Sequence, residues 1–170
     1  MQEKGCRALW DLATTDNRIK IADAGGIADV LAAMRAHRLH ARVQQYGCSA
    51  LGNLAVNADN SVKIADAGGI TDVLAAMRAH KSNAEVQGKG CLALWDLATT
   101  DIRIKIADAG GIADVLAAMR AHQSNAELRS LFLARTINST IIIMAAVRWG
   151  ALQSMLTTES RSRTPKASPT

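Results

Sequence analysis

A phrase of 19 residues occurs three times in this chain of 170 residues. It reads IKIADAGGIADVLAAMRAH from Ile19 and from Ile104, and VKIADAGGITDVLAAMRAH from Val62, so that the copies lie 43 and 42 residues apart. A catalytic centre is assembled once from unlike residues, whereas self-similarity at a period of about 20–50 residues indicates a repeat architecture. The chain is therefore predicted to consist of stacked units.

The composition favours helices in those units. Hydrophobic residues make up 49% of the chain but aromatic residues only 3%, and the only two prolines lie among the last six residues. Little in the chain forbids a helix, and a sheet would need more β-branched and aromatic residues. The net charge of +5 could attract acidic partners or nucleic acid, although many soluble proteins carry as much.

Each unit divides into three predicted helices. The first, NRIKIADA, is short and ends at a Gly-Gly turn, with Asp16, Asp59 and Asp101 as candidate N-caps. The second, GIADVLAAMRAH, places apolar residues at i, i+3, i+4 and i+7, which predicts one buried stripe. In the first unit this stripe consists of Ile27, Val30, Leu31 and Met34.

The third helix has a stripe of small and apolar residues. Ser82–Glu85 and Ser124–Glu127 have the pattern of capping boxes at its start, whereas the first unit has RLHAR there and should begin less sharply. In the middle of the stripe, glycine and alanine should allow another helix to approach closely. The stripe of the first unit is Val43, Gly47, Ala50, Leu51 and Leu54.

The pattern VQQYGCSALGNLAVNADNSVKIADAGGI followed by DVLAAMRAH resembles the armadillo repeat, and its phrasing is most similar to armadillo proteins of the vacuolar-scaffold type. The resemblance covers about residues 1–133. It implies an all-α fold, a right-handed α-α superhelix in which third helices line a concave groove that binds extended peptides. It also implies a protein-binding scaffold or adaptor.

The resemblance divides the chain into five parts: a third helix of a partial repeat at 1–15, repeats at 16–57 and 58–100, a repeat with a diverged C-terminal helix or cap at 101–157, and a disordered basic tail at 158–170. Neither end of the array has the composition of a polar cap. Two interpretations stay open, a piece of a longer array and self-association through the uncapped ends.

The resemblance also implies a set of groove residues. The family's groove asparagine, which holds a peptide backbone, matches Asn53, whereas Asp11 and Asp96 replace it in the flanking units. Trp10 and Trp95 precede those acids, and each pair could bind a Lys or Arg side chain. Alternatively, each Trp folds over the neighbouring unit and each Asp is solvated. The predicted groove residues are Arg7, Trp10, Asp11, Tyr46, Ser49, Asn53, Lys89, Leu92, Trp95 and Asp96.

Nuclear-transport members of the family are the alternative functional class, as receptors for basic cargo peptides. They carry a Trp four residues before the groove asparagine, and this chain has Arg7, Ser49 and Leu92 at those positions. That departure counts against such a receptor. A third hypothesis is nucleic-acid binding by the arginine ladder, defined as Arg35, Arg78 and Arg120, for which a solvated outer face is the simpler interpretation.

The sequence contains no arrangement typical of an enzyme. His37, His80 and His122 end equivalent helices one unit apart and cannot converge on a metal, and the Gly-Gly turns lack a phosphate-loop pattern. We expect no cofactor. Cysteines at the equivalent positions 6, 48 and 91 are expected to be about 8–10 Å apart, too far for disulfides, and therefore reduced.

The sequence also predicts where the protein resides. Its first residues, MQEKGCRALW, lack the apolar region of a signal peptide, and the most apolar run, TIIIMAAV, is too short to cross a bilayer. We therefore expect a cytoplasmic or nuclear protein without a transmembrane segment. The predicted partner is a protein or a peptide, and basic proteins and peptides are among the expected partners. Nucleic acid is a less favoured partner.

Overall fold

The computed structural model describes residues 1–125, and all regular secondary structure in this range is helical. The all-α class is therefore confirmed for this part of the chain. The predicted C-terminal cap within 101–157 and the predicted tail at 158–170 lie outside the described residues. The helices are α1 (Gln2–Leu12), α2 (Arg18–Asp23), α3 (Gly26–Ala36), α4 (Ala41–Ala55), α5 (Ala58–Asp66), α6 (Gly69–Ala79), α7 (Ala84–Leu97), α8 (Ile102–Asp108) and α9 (Gly111–Ala121).

The Gly-Gly pair makes the turn between the first and second helix of each unit. Gly25, Gly68 and Gly110 have φ between 84° and 87°, a left-handed conformation that favours glycine. The following glycine lies against the preceding helix, since a Cβ on Gly69 would come within 2.5 Å of Cγ2 of Ile64. Both glycines of the pair are thus required, one for its backbone conformation and one for space.

Two of the three predicted N-caps are wrong, one by a single residue and one by two residues. In the first helices of units one and two, the N-cap position is held by Asn17 and Asn57 rather than by Asp16 and Asp59, and the Asn17 side chain makes no capping hydrogen bond. Asn57 has the extended backbone of an N-cap, and its Oδ1 accepts from the backbone N of Asn60 at 3.0 Å. Asp59 already lies in the first turn of the helix. Asp101 is at the N-cap position, but its side chain makes no capping hydrogen bond.

The third helices show a similar shift. Asn83, not Ser82, is the N-cap of α7, and its Oδ1 accepts from the backbone N of Val86 at 3.1 Å. In the unit expected to begin less sharply, Nδ1 of His40 accepts from the backbone N of Val43 at a longer 3.4 Å. The second predicted box, Ser124–Glu127, extends beyond the described residues.

Equivalent helices of successive units pack against one another. Helix α4 lies between α1 and α7, and α6 lies between α3 and α9. The predicted stripes form the core, with Leu31, Met34, Leu51 and Leu54 at most 1% exposed. The close approach predicted for the glycines is confirmed, because a Cβ on Gly47 would lie 2.5 Å from Cγ of Met34.

Two buried glutamines, Gln44 and Gln87, join the second and third helices of a unit. Nε2 of Gln44 donates to the carbonyl oxygens of Met34 and His37, both at 2.9 Å, and Gln87 makes the same pair of bonds one unit later. The last carbonyls of a helix have no partner within it. Each glutamine therefore completes the C-terminus of the helix before it.

The junctions between units are held by the arginine ladder. Nε of Arg35 donates to Oδ2 of Asp72 at 2.8 Å, and its Nη2 donates to the carbonyl of Ala67 at 2.7 Å. Arg78 binds the next unit in the same way, through Asp114 and the carbonyl of Ala109. Both arginines are exposed, as expected for a solvated outer face, and each of them also binds the following unit.

Two further contacts recur at the junctions. Nζ of Lys63 lies 3.1 Å from Oδ1 of Asp23, and the equivalent pair in the next unit, Lys105 and Asp66, is separated by 3.0 Å. Nε2 of His80 lies 2.8 Å from the carbonyl oxygen of Arg38, and His122 makes the equivalent contact with the unit before it. These histidines act as junction residues.

Candidate functional site

The predicted groove residues lie on α1, α4 and α7, the third helices that pack side by side. Arg7 and Asp11 are exposed, Ser49 is buried, and the other seven are half-buried. Lys4 lies on the same helices at the position equivalent to Tyr46 and Lys89. We call this surface the third-helix face.

Four of these side chains, from three different helices, meet on the third-helix face. The rings of Trp10 and Tyr46 have centroids 6.0 Å apart at an interplanar angle of 30°. Cζ of Arg7 lies 5.8 Å from the centroid of Tyr46, and Nζ of Lys89 lies 5.8 Å from that of Trp10. Both cations are within the range of a cation–π interaction. We call this set the aromatic–cation cluster.

The aromatic–cation cluster changes the chemistry expected at Trp10. Its ring contacts Tyr46 of the neighbouring unit, as in the alternative in which the Trp folds over that unit. Lys89 lies where a Lys or Arg of a ligand was predicted to bind. Asp11, the predicted acidic half of the pocket, lies 3.9 Å from Nε of Arg7, and both side chains are about 60% exposed, so this pair contributes little stability.

Asn53 takes part in the contact between α1 and α4. Its Nδ2 donates to the carbonyl oxygen of Trp10 at 3.2 Å, close to the end of α1, where this carbonyl also accepts a long 3.4 Å bond from the backbone N of the C-cap residue Ala13. Ser49 is also bound locally, since its Oγ donates to the carbonyl of Gln45 at 3.0 Å. The Asn53 amide still carries a second N–H and a carbonyl oxygen with which to contact a peptide backbone.

Asp96 is packed against α4, so the interpretation as a solvated helix residue does not hold for it. A Cβ on Gly52 would lie 3.3 Å from Oδ2 of Asp96 and 3.3 Å from Cα of Ala93. Glycine at position 52 thus allows α4 and α7 to approach closely. Trp95 and Leu92 are half-buried on the same helix and extend the third-helix face beyond the aromatic–cation cluster.

The cysteines lie beneath this surface and are free thiols, as expected. Burial raises the pKa of the Cys48 and Cys91 thiols to about 12, and it raises the pKa of Cys6 as well. A thiol reacts through its thiolate, so these groups are unreactive near neutral pH. They fill the core between the third helices.

Two absences can be stated for residues 1–125. No three His, Cys, Asp or Glu side chains in this range are grouped so that they could hold a metal ion. No helix in the same range is both long enough and apolar enough to cross a bilayer.

The chain matches no protein-family model, and no curated protein or solved structure shows significant similarity to it.

Sequence reasoning named the members of the aromatic–cation cluster but not how they combine. Lys89 and Trp10 lie on helices separated by α4, so their contact depends on the packing of three units. A contact that could have been noticed is the pair Gln45 and Glu85, 3.3 Å apart across α4 and α7. In the sequence, this contact is indicated by two polar residues, Gln45 and Glu85, at neighbouring positions on the third helices of adjacent repeats.

Proposed function

We propose that this chain is a non-catalytic protein-interaction module of the armadillo type, a scaffold or adaptor that binds a peptide segment along the groove of a right-handed α-α superhelix. The recurring three-helix unit and the side-by-side packing of α1, α4 and α7 support the architecture. The aromatic–cation cluster carries the functional part. Its aromatic and cationic groups lie on the surface of the third helices, where Tyr46 also packs against the buried Cys6 and Val43.

The cluster favours a particular ligand. Arg7 and Lys89 are cationic and lie over aromatic rings, next to the exposed Lys4. A carboxylate of a ligand would gain charge-assisted hydrogen bonds from these cations, while an adjacent apolar or aromatic side chain would contact the rings. We infer that the module binds an extended segment in which acidic and aromatic residues alternate. Asn53 would hold the backbone of this segment with its second N–H.

A receptor for basic cargo peptides is the second candidate. Asp11 and Asp96 on the third-helix face favour it, whereas Arg7 and Lys89 oppose it, since a basic ligand would have to displace them from the rings. Nucleic-acid binding by the arginine ladder is less favoured, because the guanidinium groups of Arg35 and Arg78 are bound to the following units.

Fluorescence polarisation with three sets of labelled short peptides tests the proposal: acidic–aromatic, basic and neutral. The acidic–aromatic set should bind best. Lys89→Glu reverses one charge of the aromatic–cation cluster, which removes an attraction and adds a repulsion of about 0.2–1 kcal/mol each at a partly exposed site. The affinity should therefore fall about two- to thirtyfold.

Lys81→Glu is the matched control, because it makes the same charge change in the exposed turn between α6 and α7, off the third-helix face. It should alter the affinity less than twofold. Tighter binding of basic peptides, strengthened further by Lys89→Glu, would instead support the transport receptor. Binding of none of the three sets would overturn the groove proposal.

A further inference from the structure

The face formed by α1 and by the first two helices of the first unit differs from the equivalent faces further along the chain. Leu12 is 55% exposed, whereas the equivalent Leu54 and Leu97 are fully buried. Leu12 lines an open groove of about 360 Å³ together with residues of α1, α2 and the first turn of α3. We call this the leading face; its groove is lined by Leu9, Leu12, Asn17, Lys20, Ile21, Ala24, Gly26 and Asp29.

The chain itself shows what covers such a face. The equivalents of Ile21 are Ile64, fully buried, and Ile106, 9% exposed. They lie on the faces with which units two and three contact the preceding unit, through α4 with α7 and α2 with α5 for unit two, and through α6 with α9 and α7 with α8 for unit three. Within residues 1–125, α1 is the one helix that precedes the first unit, so the leading face, which α1 forms together with α2 and α3, has no such neighbour.

The polar groups of the leading face match those with which units two and three bind the preceding unit. At both internal junctions an arginine binds an aspartate in the first turn of the next second helix and a carbonyl at the end of the next first helix. Asp29 and the carbonyl of Ala24 occupy these two positions on the leading face. Lys20 is the equivalent of Lys63 and Lys105, each of which pairs with an aspartate of the unit before it.

The other end of the described region carries the complementary groups. Arg120, in the last turn of α9, is the equivalent of Arg35 and Arg78, and it is exposed. Asp108, at the end of α8, is the equivalent of Asp23 and Asp66, and it is exposed as well. We call the surface that carries Arg120 and Asp108 the trailing face. Both charge pairs that hold an internal junction are thus present, divided between two faces.

We propose that the leading face binds the trailing face of a second copy of this chain, head to tail. Arg120 of one copy donates to Asp29 and to the Ala24 carbonyl of the next, and Lys20 of that next copy pairs with Asp108. The arrangement repeats the junction between α6 and α9, with Leu9 and Leu12 buried beneath it. This contact uses the leading face of one copy and the trailing face of the other, so a dimer still has one unoccupied face of each kind. Association therefore continues beyond a dimer unless a ring closes.

Analytical ultracentrifugation of the full chain over a wide concentration range is the experiment. Wild type should form species larger than a dimer, and Asp29→Arg or Arg120→Asp alone should reduce them strongly. An equimolar mixture of these two variants should associate again, because the trailing Arg120 of one meets the leading Asp29 of the other. Lys81→Glu, an equal charge change outside both faces, should behave as wild type.

Carbodiimide cross-linking of the wild type, mapped by mass spectrometry, gives a second measurement. An isopeptide between Lys20 and Asp108 that forms between differently labelled copies is expected. A wild type that is monomeric throughout would overturn the proposal. So would association that neither reversal weakens, which would identify another occupant of the leading face. Peptide binding at Lys89 does not depend on this face, so the two proposals fail separately.

Discussion

Gly47 lies in the middle of α4, where glycine ordinarily weakens a helix. Replacing it by alanine should stabilise the helix by about 0.5–1 kcal/mol, because the unfolded chain loses conformational freedom. We nevertheless expect Gly47→Ala to destabilise the protein. The new Cβ would lie 2.5 Å from Cγ and 2.6 Å from Sδ of Met34, whereas carbon atoms in contact prefer about 3.5–4.0 Å.

The two effects differ in magnitude. Met34 is 1% exposed and has little room to move, and overpacking of a core costs about 1–3 kcal/mol. The overpacking cost exceeds the gain in helix propensity, which leaves a net loss of about 1 kcal/mol. At Gly5, the equivalent residue of α1, a new Cβ would have no atom of another helix within 4 Å, so Gly5→Ala should gain the helix propensity alone.

Thermal unfolding followed by circular dichroism at 222 nm measures both variants. For a chain of this size, 1 kcal/mol corresponds to about 2–4 °C in Tm. Gly5→Ala should raise Tm slightly and Gly47→Ala should lower it. Met34→Ala should remove most of the penalty of Gly47→Ala in a double-mutant cycle. If Gly47→Ala is as stable as Gly5→Ala, the close approach of α3 and α4 does not limit this core.

Other contacts in the molecule support three further predictions. Arg78→Ala should cost about 1 kcal/mol in denaturant unfolding, because it removes two half-exposed junction bonds, whereas the exposed Lys81→Ala should change stability by less than about 0.5 kcal/mol. Gln87→Ala should cost more, about 2–3 kcal/mol in the same assay, because two helix-terminal carbonyls lose their donor; a loss equal to that of Lys81→Ala would contradict its capping role. The raised pKa of the Cys48 and Cys91 thiols means that the unfolded state releases protons which the folded state retains. The free energy of unfolding should therefore decrease as the pH rises from about 9 towards 12, and Cys91→Ala should flatten this decrease in denaturant titrations.

Periodicity in the sequence was sufficient to place the helices and the core. The stripe that contains Met34 repeats with the helical period, and burial follows directly from it. The turn at each Gly-Gly pair could also be predicted from the sequence, since a left-handed backbone conformation favours glycine. The N-caps were not, because Asp16 and Asn17 are both good capping residues, and only the backbone conformation decides which of them begins the helix.

The candidate site was harder to predict, because its contacts join distant parts of the chain. The sequence shows Arg35 as an exposed helix residue, and its bond to Asp72 appears only once two units are stacked. The same holds for Lys89 over Trp10, which requires three helices in register. The resemblance to the armadillo repeat indicated that the third helices carry the binding surface. It did not predict the interactions of Arg7 and Lys89, because those depend on which residues occupy the equivalent positions of neighbouring units.

The arginine ladder also bears on how such a chain can change in length. Each unit carries one half of the junction at its front and the other half at its back, so neighbouring units are interchangeable. An in-register excision of residues 58–100 would place Arg35 opposite Asp114 and Lys105 opposite Asp23, the same pairs of residue types as now. Unequal recombination within the gene would therefore add or remove whole units and still encode matched contacts, with no compensating substitution needed at the new boundary.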